Sequence, residues 1–122
     1  MEELKLEKMF EEQTTFQKNF YLIEDLSNEE KVRLSKEFIL AAHRELGELL
    51  NTLPWKSHRK YDEGSVDFEE VLEEAIDVFK FLLNVCIIWN CEPEEFYNMF
   101  VMKSMKVKER LEQEKDHVKT IK

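Results

Sequence analysis

The sequence predicts an all-α fold, a four-helix bundle that oligomerises, and three observations carry that reading. Glycine and proline number only two each in 122 residues, so little interrupts regular structure. Apolar side chains recur at helical spacing through four segments, and no stretch alternates with the period of two that a half-buried strand needs. Hydrophobic residues make up 43% and charged residues 37% of the chain, the balance of amphipathic helices with a densely solvated outer face rather than of a disordered polymer.

The first helix is predicted from about Glu3 to Tyr21, with Leu6, Met9, Phe10, Phe16, Phe20 and Tyr21 near helical spacing. It stops before Glu24-Asp25-Leu26. Ser27 and Glu30 then have the spacing of a capping box, in which the hydroxyl accepts the third backbone N–H and the carboxylate reaches back. A second helix follows from about Asn28 to Asn51, and Pro54 falls just beyond its end. Residues 56–66, which include Gly64, form the one substantial loop. Asp67 is the cap of a third helix, Phe68 to about Trp89, and from Ala75 onward apolar residues cover more than one of its faces. Such a helix is central or lies in a subunit interface. Asn90 and Cys91 break it, and Pro93 opens the fourth helix at a position that tolerates proline. The fourth helix carries Phe96, Met99, Phe100, Met102 and Met105, then runs into a polar tail from about residue 112. No internal repeat divides the chain, so residues 1–122 are expected to form a single domain.

Composition excludes several functions. A formal net charge of −9 argues against nucleic acid as a partner, because phosphate backbones demand a basic face. No apolar run is long enough to span a membrane and no signal-peptide pattern opens the chain. Cys86 and Cys91 lie five residues apart, neither helical neighbours nor a CxxC pair, which fits reduced thiols in a cytoplasmic protein.

Four carboxylates hold the chemistry. Glu45 and Glu48 are three apart on the second helix, and Glu74 and Asp77 are three apart on the third. Residues at i and i+3 share a helix face. If the two helices pack antiparallel, all four groups can converge, and hard oxygen ligands in that number suit Mg²⁺ or Mn²⁺. Glu70 and Glu73 repeat the spacing with no evident meaning, so the weight rests on having two pairs on consecutive helices. Both pairs border apolar residues, where carboxylates are costly without a compensating cation. Gly47, between the first two glutamates, costs a helix interior roughly 1 kcal/mol over alanine, and close helix approach or ligand access would justify it. Asn84 lies two turns beyond Asp77 on the same face and needs a partner inside so apolar a helix. Trp55, next to Pro54 at the mouth of the loop, is a candidate to close the core.

The ordered set Glu45-Leu46-Gly47-Glu48, Asn51, Trp55-Lys56, Glu74-Ala75-Ile76-Asp77 and Phe81 resembles the ExxE…ExxD signature of the all-α nucleoside triphosphate pyrophosphohydrolases, the MazG and dimeric-dUTPase superfamily. The Trp-Lys element, the phenylalanine after the aspartate, and Lys103 with Arg110 near the C-terminus look like the dimeric dUTPase branch, which includes phage dCTPase/dUTPase enzymes. The resemblance runs from about Gln13 to Arg110. Departures from it are Gln17 where asparagine is common, Ser57-His58-Arg59 where aromatics are usual, and Val107 where an asparagine is expected.

The resemblance implies Mg²⁺-dependent hydrolysis of a nucleoside triphosphate, dUTP or dCTP, to the monophosphate and pyrophosphate by attack of a metal-activated water on the α-phosphate. Glu45, Glu48, Glu74 and Asp77 would hold two or three Mg²⁺ ions, with Mn²⁺ as a substitute, and Glu48 would be the base. Lys56, Lys103 and Arg110 would bind phosphates, and Gln13, Gln17 and Phe81 would join Asn51, Trp55 and Asn84 around base and sugar. A homodimer, or a homotetramer of two dimers, is expected. Two alternatives share the fold: a broad MazG-like appetite for several triphosphates, and a non-catalytic protein that binds a nucleotide or a partner. A di-iron bundle is disfavoured because the Glu-x-x-His spacing occurs only at Glu114 and His117, in the tail. A zinc site from His43, His58, Cys86 and Cys91 lacks ligand spacing.

Overall fold

The structure is a computed structural model that describes residues 5–54 and 66–121, with side chains as far as residue 116. Its elements in chain order are α1 (Lys5–Gln17), a short 3₁₀ turn (Ile23–Asp25), α2 (Asn28–Asn51), α3 (Phe68–Ile88) and α4 (Pro93–Ile121). No strand occurs among the described residues, and the all-α, four-helix expectation holds. The chain divides into two compact units, residues 1–90 with α1 to α3 and residues 91–122 with α4.

Local chemistry sets most helix ends. Ser27 Oγ accepts the Glu30 N–H and Glu30 Oε1 accepts the Ser27 N–H, each at 3.1 Å, so the capping box is formed and α2 begins where it must. Asp67 Oδ1 accepts the N–H groups of Glu69 at 3.0 Å and Glu70 at 3.4 Å, which satisfies two orphan donors of α3. Asn90 adopts φ 62°, a left-handed conformation that asparagine tolerates better than most residues, and it turns the chain out of α3 ahead of Pro93.

Two ends differ from expectation. The first helix closes at Gln17, one turn before Tyr21. Asn19 N bonds to Phe16 O and Phe20 N to Gln17 O, at 3.2 and 3.0 Å, and the Asn19 side chain donates to Phe16 O at 2.9 Å. These three-residue bonds tighten the final turn. The segment from residue 112, expected to be a polar tail, continues α4 as helix to Ile121. Its lysines, glutamates and glutamine are good helix formers even where nothing apolar directs them.

In the first unit α3 is central, packing on both α2 and α1. Ser35 meets Trp89, Phe38 meets Phe81, and Glu45 meets Glu74. Rising numbers on α2 thus pair with falling numbers on α3, and the two helices are antiparallel. At one end of this pair Trp89 Nε1 donates to Ser35 Oγ at 2.8 Å, with the Lys31 ammonium 5.6 Å from the Trp89 ring centroid. The two tilted phenylalanine rings lie 6.3 Å apart in the middle, and the acidic groups occupy the other end. Leu83, Ile87 and Ile88 are buried on α3, with Phe10 of α1 and Ala42 of α2. Many large apolar residues stay exposed, among them Phe20, Leu40, Phe68 and Phe100, each at least 67% accessible. The second unit is α4, where the Glu92 N–H donates to Glu95 Oε1 at 3.2 Å and Phe96 N to Glu92 O at 3.0 Å. No described helix is long and apolar enough to cross a membrane.

Candidate active site

Antiparallel packing of α2 and α3 brings together carboxylates that lie far apart in the sequence. Glu45, Glu74 and Asp77 each present an oxygen, and these atoms all lie within 4.8 Å of one another. Glu45 and Glu74 are half-buried and Asp77 is exposed. Glu48 is exposed and stands outside this trio, although its charge still acts on Glu74. Arg44 Nε sits 3.8 Å from Glu45 Oε1 and is the one cation recorded beside the cluster among the described residues.

Glu74 is the strained member. Desolvation raises its pKa above the ordinary carboxylate value. A hydrogen bond with the Glu45 carboxyl and the charges of Glu45, Asp77 and Glu48 push it the same way. Its Oε2 is buried with no hydrogen-bond partner among the described residues. A buried carboxylate oxygen without a partner is unfavourable, and repulsion from neighbouring carboxylates adds to the cost. A divalent cation would relieve both, because it supplies the missing partner and the missing charge. The donor set, all hard oxygens from two helices, fits Mg²⁺ or Mn²⁺ and does not suit zinc, which favours nitrogen and sulfur. Gly47 faces open space, for a methyl group there would meet nothing within 4 Å. Close helix packing is therefore not its reason.

A second polar group lies further along α3. Gln13 Nε2 donates to Asn84 Oδ1 at 2.7 Å, and both residues are buried. The partner that Asn84 requires is thus a residue of α1. Gln17, one turn on from Gln13, accepts a hydrogen bond from the Tyr21 hydroxyl, while its own Nε2 is buried and unpartnered among the described residues. Asn84 follows Asp77 by seven residues on the same helical face, which places the amides about 10 Å along α3 from the carboxylates. Beside them an open cleft of about 340 Å³ runs along α1 and α3, lined by Gln13, Phe16, Ile76, Phe79, Lys80 and Leu83 among others. It is mostly apolar with a few polar groups, the usual make-up of a small-molecule site.

The other predicted residues fall in different places. Phe81 is half-buried against Phe38. Asn51 is the last, exposed residue of α2. Lys103 and Arg110 are exposed on α4, two turns apart and hence on one face, in the second unit. Trp55 and Lys56 lie outside the described residues. Sequence reasoning missed Lys80, whose place three residues after Asp77 was the available signal, and Tyr21, whose spacing of four from Gln17 foretold their contact.

The fold and this geometry define an all-α protein with an acidic centre able to take a divalent cation. The sequence matches the dUTPase family model over residues 5–122, and the chain belongs to that family. It is therefore of the dUTP-type nucleotide pyrophosphatase class, a nucleoside triphosphate pyrophosphohydrolase in the broad sense, in a family that usually uses divalent metal. No curated protein and no solved structure matches the chain significantly.

Proposed function

We propose that this chain hydrolyses a pyrimidine deoxynucleoside triphosphate, dUTP or dCTP, to the monophosphate and pyrophosphate in a Mg²⁺-dependent reaction. The observation that carries the reading is the carboxylate trio with the orphaned Glu74 Oε2. Family membership supplies the reaction class.

Glu45, Glu74 and Asp77, joined by Glu48, are the residues that would hold Mg²⁺ or Mn²⁺. Bound there, such ions neutralise phosphate charge and lower the pKa of water. The chain's own groups account for the rest. A water oxygen bonds to the α-phosphorus and the bond to the α–β bridging oxygen breaks, so pyrophosphate departs with that electron pair. Glu48, exposed beside the trio, accepts the proton of the attacking water, and its solvent access suits a group that must shed that proton again. Lys103 and Arg110, with Lys56, are assigned to the β- and γ-phosphates, Arg110 through paired N–H donors.

The amides Gln13, Gln17 and Asn84 are assigned to the base, with Asn51, Trp55 and Phe81 around base and sugar. The separation of about 10 Å along α3 supports this division, because a nucleotide must span a similar length from α-phosphate to base edge. The exposed apolar side chains of the isolated chain support a homodimer or a homotetramer of two dimers. The family match over nearly the whole length supports one functional domain.

Purified protein incubated with each dNTP and rNTP plus Mg²⁺, with products resolved by anion exchange, tests the reading. Monophosphate and pyrophosphate from dUTP or dCTP, lost in Glu48→Gln, are expected. Release of orthophosphate, or no turnover of any nucleotide by folded, metal-loaded protein, would overturn it.

A further inference from the structure

Gln13 and Asn84 hold each other in one orientation. Gln13 Nε2 donates to Asn84 Oδ1 at 2.7 Å, and each residue is only 6% exposed. A primary amide has one acceptor edge and one donor edge. Committing Nε2 to Asn84 leaves Oε1 as the edge that Gln13 can offer to a ligand in the cleft it lines. Gln17, 2% exposed on the same face of α1, has the complementary deficit, a buried Nε2 donor without a partner among the described residues. Of the two amides only Gln13 lines the cleft, and it offers one fixed acceptor there.

We propose that Asn84 is a positioning residue that sets base preference by fixing the Gln13 amide. With Oε1 free, Gln13 accepts the N3–H of a uracil-type base. In the opposite orientation Asn84 Nδ2 would donate to Gln13 Oε1, and Gln13 would present Nε2 to the unprotonated N3 of cytosine. The two pyrimidines differ at N3 in just this donor and acceptor order, and sites that hydrogen-bond an edge reject the wrong one strongly. The inference rests on the reading that the base binds at Gln13.

Dissociation constants of dUMP and dCMP, measured by isothermal titration calorimetry, test it without turnover, with melting temperature followed for every variant. Wild type is expected to favour dUMP. Asn84→Leu, similar in volume but without an acceptor, is expected to shrink that preference about tenfold or more. Asn84→Asp keeps an oxygen facing Gln13 Nε2 and should hold the preference within roughly threefold. Should Asn84→Leu fail to fold, Asn84→Ser, too short to reach Gln13, carries the same expectation. If Gln13→Leu abolishes the preference while folded Asn84→Leu keeps it, the base site stands and the positioning role falls. If neither substitution alters the preference, or wild type binds the two nucleotides equally, the base-site reading fails and the proposal with it. A wild-type preference for dCMP that Asn84→Asp turns towards dUMP would show the opposite amide orientation and overturn the proposal.

Discussion

Glu45 and Glu74, on neighbouring antiparallel helices, bring carboxylate oxygens within 4.8 Å of each other. Desolvation, with repulsion from three nearby carboxylates, raises the pKa of Glu74 and favours its protonated form. A cation that enters the site therefore competes with a proton for Glu74.

This exchange has opposite effects on stability and on binding. A carboxyl whose folded pKa is raised favours the folded state while protonated, and that contribution fades as pH climbs through the folded value. Metal-free protein should accordingly be more stable just above pH 4.5 than near neutrality as far as Glu74 is concerned, whereas Mg²⁺ affinity should rise over the same interval. Glu74→Gln should raise the metal-free melting temperature and abolish the Mg²⁺-induced shift. Scanning calorimetry with and without Mg²⁺ checks both; a Mg²⁺ shift that survives in Glu74→Gln would remove this residue from the metal site.

The capping box makes a second prediction. Ser27→Ala should cost about 1 kcal/mol of unfolding free energy, as lost N-caps do, read from urea denaturation. The pKa of Glu30 is lowered by its hydrogen bonds to the Ser27 backbone and side chain. Its contribution is thus present above the ordinary carboxylate pKa and disappears as pH falls through the folded value. Glu30→Gln should flatten that acidic limb; an unchanged pH profile would show that the box contributes nothing.

At the alkaline end Tyr21 governs the response. Burial raises its pKa above 10.0, so the folded state favours the neutral phenol. The stability this provides is whole below the unfolded pKa of about 10 and is lost as pH rises through the folded value. Absorbance titration of phenolate should find one tyrosine ionising late, and Tyr21→Phe should remove that component. A uniform titration of all the tyrosines contradicts the burial.

Self-association should be measurable directly. Light scattering at micromolar concentration is expected to give a dimer or a tetramer. Phe100, 67% exposed on α4, is a test position, and Phe100→Glu should weaken association about tenfold or more if it anchors the contact. A monomer at all concentrations would refute oligomerisation.

Much of the fold was legible because its determinants are local. The Ser27–Glu30 box, the Asp67 cap and the proline at the start of α4 are chemistry within one turn of chain, and the boundaries of α2 and α3 follow from them. The convergence of Glu45, Glu74 and Asp77 was legible too, since i and i+3 spacing on two antiparallel helices leaves few other arrangements. The pairing of Gln13 with Asn84 was not, because it joins residues 71 apart and no periodicity encodes which amide meets which. The early close of α1 depends on the Asn19 side chain capturing a carbonyl, a choice that competes closely with one more helical turn. The helical end of α4 was misread because charge density was taken for irregularity, although the same residues have high helix propensity.

Asp77 and Asn84 stand on one rigid rod, and this makes α3 a ruler. Point substitutions at either mark can change what is recognised there while the distance between the marks stays constant. Inserting or deleting one residue between them would rotate everything beyond by about 100° and carry one mark off the shared face. Under the proposed function, exchanging residue types at fixed length would alter base choice without moving the carboxylates along the helix.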